Sequence, residues 1–146
     1  MITLFSYPDL FGLEDNNPYG LKIFAFLKLC GLPFEHRHTL DAKAAPRGQL
    51  PHVDDGGQAI GDSDAIVSHL KRKYRLPIDD TLTPFQRDLD LLVRRALDDL
   101  YWVMSYSRWR DPRFWTAFRD ALLRTHPEIA ADDLEAARKY NFDRYH

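Results

Sequence analysis

The stretch GQLPHVDDGGQAIGDSDAI, Gly48 to Ile66, decides how the first half of this 146-residue chain folds. Its centre, Asp54-Asp55-Gly56-Gly57, has the composition of a hairpin turn, so its flanks read as two short antiparallel strands. Asp62-Ser63 then supplies a helix cap, because short oxygen-bearing side chains accept hydrogen bonds from the first free backbone N–H groups of a helix. The helix behind it runs to about Tyr74 and sets Ala65, Ile66, His69 and Leu70 on its inner side.

Upstream of Gly48 the polar segment Asp41 to Gln49, with Pro46 and Gly48, reads as a loop or a frayed helix. Before it, PFEHRHTL alternates: Phe34, His36 and His38 share one face, Glu35 and Arg37 the other, which is the period of a strand. Further back, NNPYGLKIFAFLKLCG opens with Asn17 as N-cap and Pro18 at the first helical position. Gly31 followed by Pro33 closes that helix, and Ile23, Phe26, Leu27 and Cys30 recur at helical spacing as its buried face. The chain begins with ITLFSY, Ile2 to Tyr7, a β-prone run that Pro8 ends, and a loop follows as far as Asn17.

The order is strand, helix, strand, hairpin, helix. A strand-helix-strand unit crosses over right-handed and yields two parallel strands, and the hairpin adds two antiparallel ones. The expected fold is therefore α/β plus all-α: a thioredoxin-like N-terminal domain (βαβ-ββα) over residues 1–75, a linker at 76–82, and a short helical C-terminal domain over 83–146. In the latter, Thr83, Pro84 and Gln86 spell a capping box. The long helix behind them carries an apolar stripe of Leu89, Leu92, Ala96, Leu100, Val103 and Met104, with Arg87, Asp88, Asp90, Arg94, Arg95 and Asp98 covering the rest. A second helix is expected from Asp111-Pro112 to about Arg124, and a third, DDLEAARKY, capped by Asp132 with Glu135 three residues on.

With 45% apolar and 29% charged residues the chain has an ordinary globular composition. A net charge of −2 with both signs interspersed offers no field for nucleic acid or an anionic membrane. No apolar run reaches the roughly 20 residues of a membrane span. MITLFSYPDL lacks the basic start and long apolar core of a signal peptide, so the expected location is cytoplasmic. Cys30 is the single cysteine, which excludes an internal disulfide, and on the apolar helix face it reads as an inert core thiol.

Proline, hairpin, acid-serine pair and helix, in that order over Gly48 to Ile66, resemble the glutathione transferase superfamily, whose members join a thioredoxin-like domain to an all-helical one. The resemblance covers about Ile2 to Trp115. Members place a cis proline at this strand start and, twelve residues after the position preceding it, an acidic residue followed by serine. Leu50-Pro51 and Asp62-Ser63 keep that spacing. The segment LYWVMSYSRW, Leu100 to Trp109, is similar to the metaxin and failed-axon-connections branch.

The resemblance implies glutathione as co-substrate, a small electrophile as its partner, and a homodimer. It also implies Gln49, Leu50, Pro51, Asp62 and Ser63 as the glutathione-binding residues. The chemistry is consistent. A cis bond before proline costs little and turns the N–H and C=O of Leu50 outward, where an extended peptide can pair with them. A hydroxyl and free N–H groups at a helix start suit a carboxylate, and an adjacent aspartate holds an ammonium. Glutathione offers both groups at its γ-glutamyl end. The plainer alternative is that Asp62 and Ser63 only cap a helix.

Redox relatives carry Cys-Pro-Tyr-Cys where this chain has Asn17-Pro18-Tyr19-Gly20, so disulfide exchange by that route is excluded. Many transferases instead hold the glutathione thiolate with a hydrogen bond from Ser, Cys or Tyr. The Ser or Cys position corresponds to Asn17, and the Tyr position, at the end of the first strand, to Tyr7. Both stay open as the catalytic donor, and each also has a structural role, Asn17 as a cap and Tyr7 as a strand-end aromatic. His38, Lys43 and Arg47 are further candidates for the glycyl carboxylate. His36 and His38 share a strand face but lack a third ligand at a recognisable spacing, so no metal is expected. Arg108-Trp109-Arg110 and Trp115 either shape a second-substrate pocket or pack helix on helix. Relatives carry five or more helices after the linker where about three are expected here, which leaves the apolar stripe short of partners and favours the homodimer. The alternative function is a non-catalytic interaction module on the same scaffold.

Overall fold

The computed structural model describes residues 1–143 and divides into two units, Met1–Asp80 and a second from Thr81 onward. In the first, β1 (Ile2–Ser6) buries every second residue, Ile2, Leu4 and Ser6. It stops one residue short of the expected Tyr7, ahead of Pro8, which has no N–H to give a ladder. β2 (Phe34–His38) runs parallel to β1 with Phe34 opposite Ile2. β3 (His52–Asp55) is antiparallel to β1, and β4 (Ala59–Gly61) is antiparallel to β3, giving the order β2-β1-β3-β4. This is the thioredoxin-like mixed sheet. Gly56 and Gly57 make the hairpin turn with φ of 71° and 90°, a backbone region where a Cβ is strained. Asp54 and Asp55, read as part of the turn, belong to β3.

α1 (Pro18–Leu29) and α2 (Ser63–Tyr74) supply the rest of the core. Ile23 and Leu27 from α1 and Ile66 and Leu70 from α2 meet Ile2, Leu4 and Val53, each at most 1% exposed. Ala65, expected inside, is exposed, and Ser63 is buried in its place. Cys30 is half-buried at the C-cap of α1, not sealed in the core, and burial raises its thiol pKa. The segment Asp41 to Gln49 is a loop with one short 3-10 turn, Pro46–Gly48.

Asp55 joins β3 to the end of α2. Its carboxylate accepts from His69 Nε2 at 2.9 Å, from the Tyr74 hydroxyl at 2.8 Å and from Lys73 Nζ at 2.8 Å. Burial alone would raise its pKa, but the hydrogen bonds from Lys73, His69 and Tyr74 outweigh that and hold it at about 2.

The second unit holds α3 (Pro84–Trp109), α4 (Pro112–Thr125) and α5 (Ala131–Phe142). Thr83 and Gln86 form the expected capping box, and Asp111 caps α4. α5 departs from expectation. It begins at Ala131 after Ala130, which makes no side-chain cap, so Asp132 lies inside the first turn, where its charge meets the helix dipole instead. The Arg108-Trp109-Arg110 cluster packs helix on helix: Trp109 lies 5.8 Å from Trp115 and 5.4 Å from Phe118, with the Arg108 guanidinium over Phe118 and that of Arg138 over Trp115. Among the described residues no helix is long and apolar enough to cross a membrane.

Candidate functional site

Two helix N-termini in the first unit carry the residues of interest. At α1, the chain leaves β1 through Tyr7 and Pro8 and makes a tight turn, where Leu10 and Leu13 pair and Phe11 and Gly12 take positive φ. Asn16 ties the loop back with its side-chain amide donating to the Pro8 carbonyl at 2.8 Å. Asp15 turns inward and is 1% exposed. One of its carboxylate oxygens accepts from the Asn17 N–H at 2.6 Å, and the Asn17 side-chain oxygen in turn accepts from the Tyr19 N–H at 2.9 Å.

Gly20 explains why the helix starts as it does. A Cβ added there would lie 1.6 Å from an Asp15 carboxylate oxygen and 3.1 Å from the Ser6 Cβ. The space that a second cysteine would need is occupied by Asp15. Beneath, the fully buried Ser6 hydroxyl bonds with His36 Nε2 at 2.7 Å, and His38 Nδ1 donates to the Tyr7 carbonyl at 2.8 Å. Burial chiefly, and then His38, lower the His36 pKa, against the opposing pull of Glu14 and Asp9. His38 is thus engaged by Tyr7. Among the described residues no three His, Cys, Asp or Glu side chains group to hold a metal.

At the second terminus, the Leu50–Pro51 peptide bond is cis. Gln49 before it is exposed with extended backbone, while Leu50, Pro51 and His52 are buried. His52 stacks on Phe5 with ring centroids 4.5 Å apart, and its Nδ1 has no hydrogen-bond partner among the described residues. Burial lowers its pKa, so the ring favours the neutral form. His52 pairs with Gly61, so Pro51 and Asp62 both adjoin the same end of the β3–β4 ladder.

Asp62 takes a φ of 71° and caps α2, its carboxylate accepting from the Asp64 and Ala65 N–H groups at 3.0 and 3.1 Å. Arg47, from the loop, places its guanidinium 3.7 Å from Asp62, so it is drawn to this carboxylate. Ser63 accepts from Lys22 Nζ, which crosses from α1. Lys22 and Asp15 were invisible to sequence reasoning: one is separated by 41 residues from its partner, and the other looked like an ordinary loop aspartate.

Residues 18–114 match the family model described as the glutathione S-transferase N-terminal domain. The chain belongs to the glutathione S-transferase family. Among curated relatives of this family member, isoprene-epoxide–glutathione S-transferase of Rhodococcus sp. (strain AD45) is 34% identical over 125 residues, covering 81% of this chain and 52% of the relative. Failed axon connections of Drosophila melanogaster is 31% identical over 113 residues, covering 77% of this chain and 27% of that protein. The chain therefore spans about half the length of one curated relative and about a quarter of the other. Among solved structures, a diazinon-metabolizing glutathione S-transferase of the silkworm Bombyx mori aligns at a TM-score of 0.53 and 19% identity, over 86% of this chain and 69% of that one. The fold of this glutathione S-transferase family member is thus shared with it.

Proposed function

We propose that the first unit binds glutathione along the backbone at Leu50-Pro51, with Gln49 at the rim and Asp62-Ser63 holding the γ-glutamyl end. The observation that carries this reading is a cis imide bond adjoining, at the end of the β3–β4 ladder, an acid-serine pair that opens α2. The backbone beside the imide suits an extended peptide, and the helix start suits its carboxylate. The thiol of the bound ligand then attacks an electrophilic carbon, with Tyr7 or Asn17 donating a hydrogen bond to sulfur. A free thiol titrates near pH ~8.5, so such a donor raises the reactive thiolate fraction. The name of the Rhodococcus relative makes small epoxides the first electrophiles to try; the S–C bond forms as the ring C–O bond opens, and the alkoxide takes a proton from water.

Residues 1–75 serve as the glutathione domain, 76–82 as a linker and 83–146, of which 144–146 lie outside the described residues, as a helical domain, in a cytoplasmic homodimer. The exposed apolar residues of α3 support a second copy as partner.

A competing reading has a specific support at α1. The Asn17 side-chain oxygen caps Tyr19, and the buried Asp15 carboxylate already faces the positive end of that helix. A sulfur anion placed there would meet a negative neighbour, which favours a non-catalytic interaction module. Calorimetric titration with glutathione, followed by an epoxide-conjugation assay, separates the two. No heat and no thermal shift at millimolar glutathione removes the binding claim. Where binding is seen, Tyr7→Phe or Asn17→Ala lowers the conjugation rate by about a hundredfold, whichever supplies the donor. Binding without turnover of any epoxide selects the interaction module, and turnover unchanged in both variants rejects both donors.

A further inference from the structure

Lys22 sits in the second turn of α1, and its ammonium crosses to the first turn of α2. There it donates to the Ser63 hydroxyl oxygen at 3.1 Å and to the Asp64 carboxylate at 2.6 Å. An ammonium has three N–H donors and no lone pair, so toward Ser63 it can only donate. A serine hydroxyl has one proton and two acceptor sites. With one acceptor site taken by Lys22, the Ser63 proton is aimed away from the lysine. One oxygen of the Asp62 carboxylate is engaged with the N–H groups of Asp64 and Ala65, and the Asp64 carboxylate holds the lysine. Ser63 itself is only 8% exposed, and the contact with Lys22 leaves its hydroxyl proton for a further acceptor. Asp64 anchors the ammonium in place, and the lysine side chain remains 33% exposed, open to whatever docks at the start of α2.

We infer that Lys22 is a positioning residue for the γ-glutamyl carboxylate: it fixes the Ser63 hydroxyl as a donor toward the ligand, while its own charge is balanced by Asp64. This rests on the glutathione reading above and names the residue that tunes its carboxylate end. Arg47 plays a different part, since it pairs with Asp62 from the exposed loop.

The test is a set of glutathione titrations on the full chain: wild type, Lys22→Met, Lys22→Arg, Ser63→Ala and the Lys22→Met/Ser63→Ala double variant. Unliganded melting temperatures show whether each variant folds, and Lys22→Gln replaces Lys22→Met if the latter does not. Lys22→Met and Ser63→Ala each weaken binding by about tenfold, the worth of a charge-assisted hydrogen bond. Lys22→Arg recovers most of the affinity. The double variant falls only slightly below either single one, because the lysine acts through the hydroxyl. Affinity within about twofold of wild type in Lys22→Met overturns the proposal, as do two single losses that multiply to about a hundredfold in the double variant. A wild type that gives no heat with glutathione overturns the glutathione reading itself, and that result stands before any variant is made.

Discussion

The core of the first unit and the long helix of the second handle their apolar residues in opposite ways. In the first, seven aliphatic side chains from two strands and two helices, Ile2, Leu4, Ile23, Leu27, Val53, Ile66 and Leu70, are sealed to 1% exposure or less. On α3 of the second, Phe85, Leu89, Leu92, Leu97, Leu100 and Val103 all stay exposed, Leu92 at 67%. Near the end of this helix, Trp109 makes aromatic contacts with α4. A period of 3.6 tells which side of a helix is apolar; only neighbouring elements decide whether that side is dry. Strands brought together from both ends of the first unit provide such neighbours, whereas a long helix with short ones near its end covers little of its stripe.

Truncation in the sealed core breaks the comparison hardest if it proves mild. Ile66→Ala is expected to cost about 2–5 kcal/mol in denaturant unfolding, as a cavity opens among side chains that cannot follow. Next comes acid. The Asp55 carboxyl titrates at about 2 when folded against an ordinary 3.8, so its contribution is complete above the ordinary value and drains away as pH falls through the folded one. That amounts to about 2 kcal/mol, measurable as a loss of stability on acidification that Asp55→Asn no longer shows. Gly20→Ala follows, at about 1–3 kcal/mol, since its methyl must displace the Asp15 carboxylate. Smallest is Leu92→Ala on the exposed helix face, within about 0.5 kcal/mol in dilute protein. A large, concentration-dependent effect at that position would sharpen the contrast by showing that a second copy covers it.

What could be read from the chain was local. Asn17 on Tyr19, Thr83 with Gln86, and Asp111 on Arg113 are caps made between residues two or three apart, so sequence spacing alone identified them. The parallel pairing of β1 with β2 and the β3–β4 hairpin followed from handedness and turn composition. The α5 start was misread because Asp132 has the chemistry of a cap, while backbone geometry placed the boundary two residues earlier. Ala65 lies outside the inner face of α2, which continues back from Ile66 by three residues to Ser63. At the candidate site, the proline and the acid-serine pair were legible from their offset. Lys22 on Ser63, Asp15 against Gly20, and the closure of His69, Lys73 and Tyr74 on Asp55 were not. Each depends on where separate elements meet, and a lysine or an aspartate in a charged chain carries no mark of that.

The tight fit of Asp15 against Gly20 limits what protein engineers can do with this scaffold. Grafting cysteines onto positions 17 and 20 to regain a dithiol would not yield an oxidoreductase, because the β-carbon of the second cysteine would lie 1.6 Å from an Asp15 carboxylate oxygen. Any such retrofit has to begin by evicting the aspartate, and with it the backbone anchor that starts the helix.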